Sequence, residues 1–276
     1  MQRSEALTLV MASVAMPVSR DLEANRREIG RRLRLAKGAG AQLVHFPEGA
    51  ASGYAKSEIA GWDDYPWAQL QDLLESLAEE AGRLQLWLVL GAAHRLTAPN
   101  PPHNALYVIG PDGRLVGRYD KRLCSNSELA GWYSPGLEPL LFRASGHAIG
   151  CALCIEVQFP EVFRDYAEAG ADAVLLSSYS GNPFFLTLAQ AHAETNGLWI
   201  GFAEAGREAT SAIIGPDGQL QAHSSDGMAI ATLDPAEARW EVPLRKARPW
   251  RRQARKGAIY RGPWDSDPRS RNRDRF

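Results

Sequence analysis

The 276-residue chain has only three cysteines, almost no net charge and no apolar run long enough to span a bilayer. Three cysteines cannot build the disulfide framework of a secreted domain, so a reducing compartment and a cytoplasmic location are expected. The apolar run from Leu7 to Val18, with Arg3 before it, has the character of a signal-peptide core. Glu5 lies among its leading residues, however, and Pro17 opens a polar, helix-like segment, so a buried first strand is the better reading. No glycine-rich dinucleotide fingerprint follows that strand, which deprives a single open nucleotide-binding sheet of its ligand loop.

The charges nearly cancel, 31 Lys and Arg against 32 Asp and Glu, but they are unevenly placed. Residues 245–276 hold twelve basic and three acidic residues, a balance of +9, which leaves the other 244 residues at −10. Such a tail suits nucleic acid or an anionic membrane, or it packs on its own acidic body or on a partner subunit. No RNA-binding signature accompanies the charge, which favours packing. Apolar material is abundant: 45% of the chain is hydrophobic, with eight Trp, eight Tyr and eight Phe. That supports a sizeable core and excludes a disordered, collagen-like or solenoid chain.

Periodicity divides the chain into two similar halves. After the first strand, Asp21 opens a helix with Leu22, Ile29, Leu33 and Ala36 on one face, and Gly38 is placed to stop it. A short buried strand, Gln42 to Phe46, ends at Pro47-Glu48-Gly49. A helix from about Pro66 to Gly82 and a strand from Leu86 to Gly91 follow, then a hairpin turning at Gly110-Pro-Asp-Gly113. The second half runs strand (His147–Cys154), helix (Pro160–Ala169), strand (Ala173–Ser177), helix (Pro183–Asn196) and strand (Leu198–Ala203). It closes on a second hairpin turning at Gly215-Pro-Asp-Gly218. Ile-Gly-Pro-Asp-Gly thus recurs at matching stages, 109–113 and 214–218. Each half makes a sheet with helices on one face, and two such sheets cover each other. The expected fold is α/β, a four-layer α-β-β-α sandwich over residues 1–244, followed by the basic tail 245–276.

Three polar residues stand where strands end. Glu48 follows Val44-His45-Phe46-Pro47, and a carboxylate at the rim of a buried strand is partly desolvated, which suits a general base. Taken alone it reads more readily as a solvated loop glutamate. Cys154 ends Ile149-Gly-Cys-Ala-Leu at a strand-to-helix turn, where backbone N–H groups are free to hold an oxyanion. Taken alone it is a buried structural thiol. Cys151 and Cys154 have a C-x-x-C spacing, but three residues apart on a strand they face opposite ways and no second ligand pair is near, so no metal site is expected. Lys121, after Gly117-Arg-Tyr-Asp120, has the charge to stabilise a thiolate and an anionic intermediate.

The strings Phe46-Pro-Glu48-Gly, Tyr119-Asp-Lys121 and Cys154-Ile-Glu-Val-Gln-Phe-Pro-Glu161 occur in that order, with Asn104 before the hairpin and Glu194-Thr-Asn196 late in the fourth helix. This resembles the nitrilase superfamily, the carbon–nitrogen hydrolases, from the first strand to about Asp234. The resemblance implies an α-β-β-α sandwich, a Glu-Lys-Cys triad and no metal or organic cofactor. It implies Cys154 as nucleophile, Glu48 as general base, and Lys121 with the Ile155 N–H around the tetrahedral intermediate. A second glutamate that positions substrate falls on Glu128, with Glu138 as the alternative. The chain departs from the family pattern at Lys121-Arg122-Leu123-Cys124, which lacks a histidine, and at His192, where arginine is common.

The expected activity is hydrolysis of a small amide or carbamoyl compound through a Cys154 thioester, with release of ammonia or an amine. Tyr54, Trp132, Tyr133, Tyr179 and Phe184 are candidates for an aromatic cleft, and Arg122 for contact with a substrate carboxylate. Three alternatives stay open: a nitrilase using the same triad, an N-acyltransferase of the same superfamily, which the missing membrane spans disfavour, and a non-catalytic protein binding through its Arg-rich tail. The resemblance implies a homodimer or larger homo-oligomer, with the tail reaching across it, and no membrane partner.

Overall fold

Helix caps and strand alternation set the elements in the predicted order. The computed structural model describes residues 8–206, 209–224 and 227–260. Strand β1 (Leu9–Val14) leads to α1 (Leu22–Gly38), whose first turn is capped by Asp21 Oδ1 accepting the Ala24 N–H at 3.0 Å. Then come β2 (Leu43–His45), α2 (Trp67–Leu84), β3 (Trp87–His94), β4 (His103–Ile109) and β5 (Leu115–Asp120). A short helix α3 (Asn126–Leu129) and β6 (Leu141–Ala144) intervene. The order is repeated by β7 (His147–Leu153), α4 (Pro160–Glu168), β8 (Ala173–Ser178), α5 (Phe184–Asn196), β9 (Trp199–Glu204), β10 (Ser211–Ile214) and β11 (Leu220–Ser224). Last are β12 (Met228–Leu233) and α6 (Arg248–Arg255).

The strands form two six-stranded sheets, β12-β1-β2-β3-β4-β5 and β11-β10-β9-β8-β7-β6. In each, three strands run parallel (β1 to β3, β7 to β9) and the hairpin adds antiparallel strands. The unpredicted β6 and β12 extend this symmetry, pairing antiparallel with β7 and β1, the first strand of each half. The repeated turns play matching parts. Gly113 (φ +78°) and Gly218 (φ +76°) close them, and each lies against a helix of its own half: a Cβ would sit 2.9 Å from Ala78 O on α2 and 3.0 Å from Gln190 O on α5. Only glycine fits both the left-handed backbone and the close approach.

Strand alternation sorts side chains into three apolar layers. Val44, Phe46, Leu88 and Leu90 meet Ile29 and Leu33 of α1 and Leu73 and Leu77 of α2. Met11, Leu43, Val89 and Leu106 face Ile149, Cys151, Leu153 and Leu175 across the two sheets. Val174, Leu176, Ile200 and Phe202 meet Phe163 and Tyr166 of α4 and Phe185 and Ala189 of α5. The architecture is the expected α-β-β-α sandwich, and Cys151 and Cys154 fall in different layers, as period-two alternation requires.

The described part of the basic segment lies on α4 and α5. Arg252 donates to Glu168 O at 3.2 Å, Arg255 to Thr195 O at 3.0 Å, and Arg251 to Glu194. Guanidinium groups thus meet the carbonyl ends of two helices, where the backbone dipole is negative. The remainder of the expected tail, 261–276, lies outside the described residues. Among the described residues no helix is long and apolar enough to cross a membrane.

Candidate active site

Glu48 is delivered by the turn that leaves β2. Gly91 of β3 makes this turn possible: a Cβ there would stand 2.2 Å from Pro47 O and 3.0 Å from Glu48 Cα. Lys121 follows the last residue of β5 and is held by its N–H to Asn104 O at 2.8 Å. Cys154 follows β7 and opens a 3-10 turn, Cys154–Gln158, in a left-handed backbone conformation (φ +50°) that is uncommon for a residue with a side chain. The first sheet supplies the carboxylate and the ammonium, the second the thiol. All three are buried, Glu48 and Lys121 almost completely and Cys154 with 8% of its surface exposed.

The ammonium lies between two carboxylates. Lys121 Nζ donates to Glu48 Oε1 at 3.0 Å and to Glu128 Oε1 at 2.8 Å. Asn104 Nδ2 donates to Glu48 Oε1 at 2.7 Å and reaches Glu128 Oε1 at 3.4 Å. Glu128 is aimed by the start of α3, where it forms a capping box with Ser125 and accepts the Ser125 N–H at 2.7 Å. Glu138, the alternative second glutamate, is exposed. Glu48 Oε1 is therefore fully engaged, whereas Oε2 has no hydrogen-bond partner among the described residues.

These contacts push the groups in different directions. Burial raises the Glu48 carboxyl, and the nearby Glu128 charge adds to it, against the pull of Lys121. Glu128 is also buried, but Lys121 and the Ser125 N–H outweigh that and hold it below its ordinary value. Burial would discharge Lys121; Glu48, Cys154 and Glu128 together keep it well above the usual lysine range. The Cys154 thiol is pushed up to about 12 by burial and by the nearby Glu48 charge, against the pull of Lys121. The site thus holds a protonated thiol beside a carboxylate of raised basicity, with a fixed cation at hand.

Beside this group lie four of the five predicted aromatic residues, Tyr54, Tyr133, Tyr179 and Trp132. Tyr54 Oη donates to Glu128 Oε1 at 3.1 Å, and its ring stacks on Tyr179 at a centroid separation of 4.7 Å. The neighbouring Ser178 Oγ donates to the Cys154 sulfur at 3.9 Å, and the Tyr179 hydroxyl donates to Glu58 Oε1 at 2.6 Å. Trp132 packs with Tyr54 on the cluster of Ala55, Ala93 and Tyr133, and its carbonyl accepts the Trp62 Nε1 proton at 2.7 Å. Ile155 follows the nucleophile candidate, in the first turn of the 3-10 segment, where N–H groups lack intrahelical acceptors. Phe184 is 70% exposed. Arg122, considered for a substrate carboxylate, turns its Nε to Tyr119 Oη at 3.4 Å. Sequence reasoning passed over Glu58, which joins Tyr179 to the Tyr54 N–H at 3.1 Å; an exposed-looking loop glutamate carries no signal of that. Among the described residues no group of three or more His, Cys, Asp or Glu could hold a metal ion.

The model of the carbon-nitrogen hydrolase family matches residues 10–240. Omega-amidase NIT2 of Bos taurus is 24% identical over 266 residues, covering 86% of this chain and 94% of its own. Deaminated glutathione amidase of Synechocystis is 26% identical over 253 residues, covering 81% and 91%. The amidase from Nesterenkonia sp. has the same fold, with a TM-score of 0.74 at 22% identity over 84% of this chain and 92% of that one. A mutant of the Nesterenkonia sp. AN1 enzyme carries the acetamide moiety of fluoroacetamide on its active-site cysteine; its TM-score is 0.76 at 20% identity, over 92% and 98% of the two chains.

Proposed function

Starting from the fact that this chain belongs to the carbon–nitrogen hydrolase family and is an enzyme acting on non-peptide amides, we propose that it hydrolyses a small amide or carbamoyl compound through a thioester on Cys154. The observation that carries the reading is the meeting of Glu48, Lys121 and Cys154 from two sheets, with Lys121 Nζ 3.0 Å from Glu48 Oε1 and all three side chains buried.

In this mechanism Glu48 takes the thiol proton as sulfur attacks the carbonyl carbon. The thiol is too weak an acid to ionise on its own, so proton transfer accompanies attack. Lys121 and the Ile155 N–H hold the developing oxyanion. The tetrahedral intermediate collapses when protonated Glu48 gives its proton to the departing nitrogen, and ammonia or an amine leaves. Water, deprotonated by Glu48, then attacks the thioester and frees the acid and the thiol. Glu128 fixes the Lys121 ammonium and offers an acceptor to the amide N–H. Tyr54, Tyr179 and Trp132 line the acyl side. No cofactor enters any step.

The test is ammonia release from a panel of small amides, carbamoyl compounds and nitriles, with intact-mass detection of the acyl-enzyme. Cys154→Ala should abolish both signals while leaving the circular dichroism spectrum unchanged. Turnover surviving in that variant removes Cys154 from the mechanism, and a preference for nitriles over amides replaces the amidase reading with a nitrilase. The reading includes a homo-oligomer, which sizing before and after truncation at Pro243 checks.

A further inference from the structure

Glu156 lies two residues beyond Cys154 and is completely buried, yet it takes no part in the mechanism above. Its carboxylate gathers donors from three segments. Oε2 accepts the Leu153 N–H at 2.7 Å, from the strand end that precedes the thiol. Oε1 accepts the Arg122 N–H at 2.9 Å and the Leu123 N–H at 3.0 Å, from the two residues that follow Lys121. Tyr119 Oη, two residues before Lys121, lies 2.8 Å from both oxygens. One carboxylate therefore ties both flanks of the lysine to the turn that holds the cysteine.

We propose that Glu156 is a positioning residue for the reaction: it locks the Lys121 loop and the Cys154 turn into one unit, so that ammonium and sulfur keep a fixed separation. The assignment rests on the roles of Lys121 and Cys154 proposed above. Two features of the geometry call for such a strut. Cys154 has a left-handed backbone (φ +50°), a conformation that a non-glycine residue keeps only when its surroundings impose it. The Leu153 N–H bond to Glu156 imposes it from the preceding residue. Lys121, in turn, directly follows the edge strand β5, where no further strand fixes the exit of the chain, and the Arg122 and Leu123 N–H bonds add to the restraint that Asn104 and Gly136 give its backbone.

A carboxylate is required because every group facing Glu156 is a donor. A glutamine of the same shape must point its NH2 at a backbone N–H, at Leu153 in one orientation and at Arg122 and Leu123 in the other. Aspartate keeps both acceptors but is shorter by a methylene. It stays with the Leu153 N–H of its own turn and loosens its hold on the Lys121 loop.

The experiment compares wild type, Glu156→Gln and Glu156→Asp by amide hydrolysis and by iodoacetamide alkylation of Cys154, with turnover normalised to the titrated thiol. Glu156→Gln should lower kcat per reactive thiol about 100-fold, with KM changed less than about threefold, because catalysis depends on sub-ångström placement more than binding does. Glu156→Asp should recover about tenfold of that loss, and alkylation should slow about tenfold in the Gln variant. A Gln variant that melts earlier but keeps kcat per thiol within about threefold of wild type overturns the proposal. If Glu156→Gln does not fold, Glu156→Asp decides, and an unchanged kcat per thiol there overturns it equally. Alkylation needs no turnover. Should wild type hydrolyse no amide, slowed alkylation still supports the strut while the amidase reading fails; alkylation equal to wild type overturns the strut.

Discussion

Replacing Glu128 with Gln tests how the buried charges share a proton. Both Glu48 Oε1 and Glu128 Oε1 are bonded to Lys121 Nζ, at 3.0 and 2.8 Å. Two like charges at most about 6 Å apart, in surroundings with an effective dielectric of about 20, repel by about 3 kcal/mol, or about two pKa units. That repulsion is one of the causes raising Glu48, while Lys121 opposes it. In Glu128→Gln the repulsion disappears and Lys121 serves Glu48 alone, so the Glu48 carboxyl must become more acidic. In the proposed role of general base, Glu48 works only when deprotonated. The acid limb of kcat/KM should therefore move to lower pH, by up to about two units, and the plateau rate should fall because the base is weaker. The three groups titrate together, so the limb reports the cluster rather than one residue. Ammonia release between pH 4 and pH 9, in wild type and variant, gives both quantities. An acid limb that stays in place or moves to higher pH refutes the shared-proton argument.

Gly91→Ala adds a methyl group that must displace the backbone of Pro47, Glu48 and Gly49. Because Glu48 rides on that turn, kcat/KM should drop about 100-fold, measured beside a thermal melt to confirm folding. His45 lies between the sheets, with Nε2 2.7 Å from Ser177 Oγ, and burial lowers its pKa to about 3. The unfolded chain then binds more protons than the folded one between about pH 6.5 and pH 3, so stability falls with falling pH at about 1.4 kcal/mol per unit in that window. Urea titrations at pH 7 and pH 5 should show His45→Gln losing about 2 kcal/mol less than wild type over that interval.

Much of the fold was legible because the two halves repeat one physical solution. Apolar alternation located the parallel strands, Asp21 marked the start of α1, and the paired Ile-Gly-Pro-Asp-Gly strings marked both hairpins. The two missed strands carry little local pattern. β6 has four residues alternating exposed and buried, and half of β12 is only partly buried. Their structure comes from the strand beside them. Met228–Leu233 is ordered by pairing residue for residue with β1, more than two hundred positions earlier.

The candidate site shows the same division between what a strand reveals and what a tertiary contact decides. Glu48, Lys121 and Cys154 stand out because each is a polar residue at the end of a strand, where packing alone gives no reason for it. Asn104 belongs with them, a carboxamide within a buried strand whose donors are spent on Glu48 and Glu128. Glu58 and Glu156 give no such sign. Glu58 bonds to a tyrosine 121 positions away, and Glu156 accepts N–H groups 33 and 34 positions away. An acidic residue on a short turn is ordinarily solvated, and only tertiary contacts bury Glu156 and half-bury Glu58 as acceptors. If that distinction holds, the first group should govern the chemical step directly and the second should act through the placement of its neighbours. Substituting Glu58 should then alter how Tyr54 and Tyr179 meet the substrate, moving KM more than kcat, whereas Glu48 substitutions should fall on kcat.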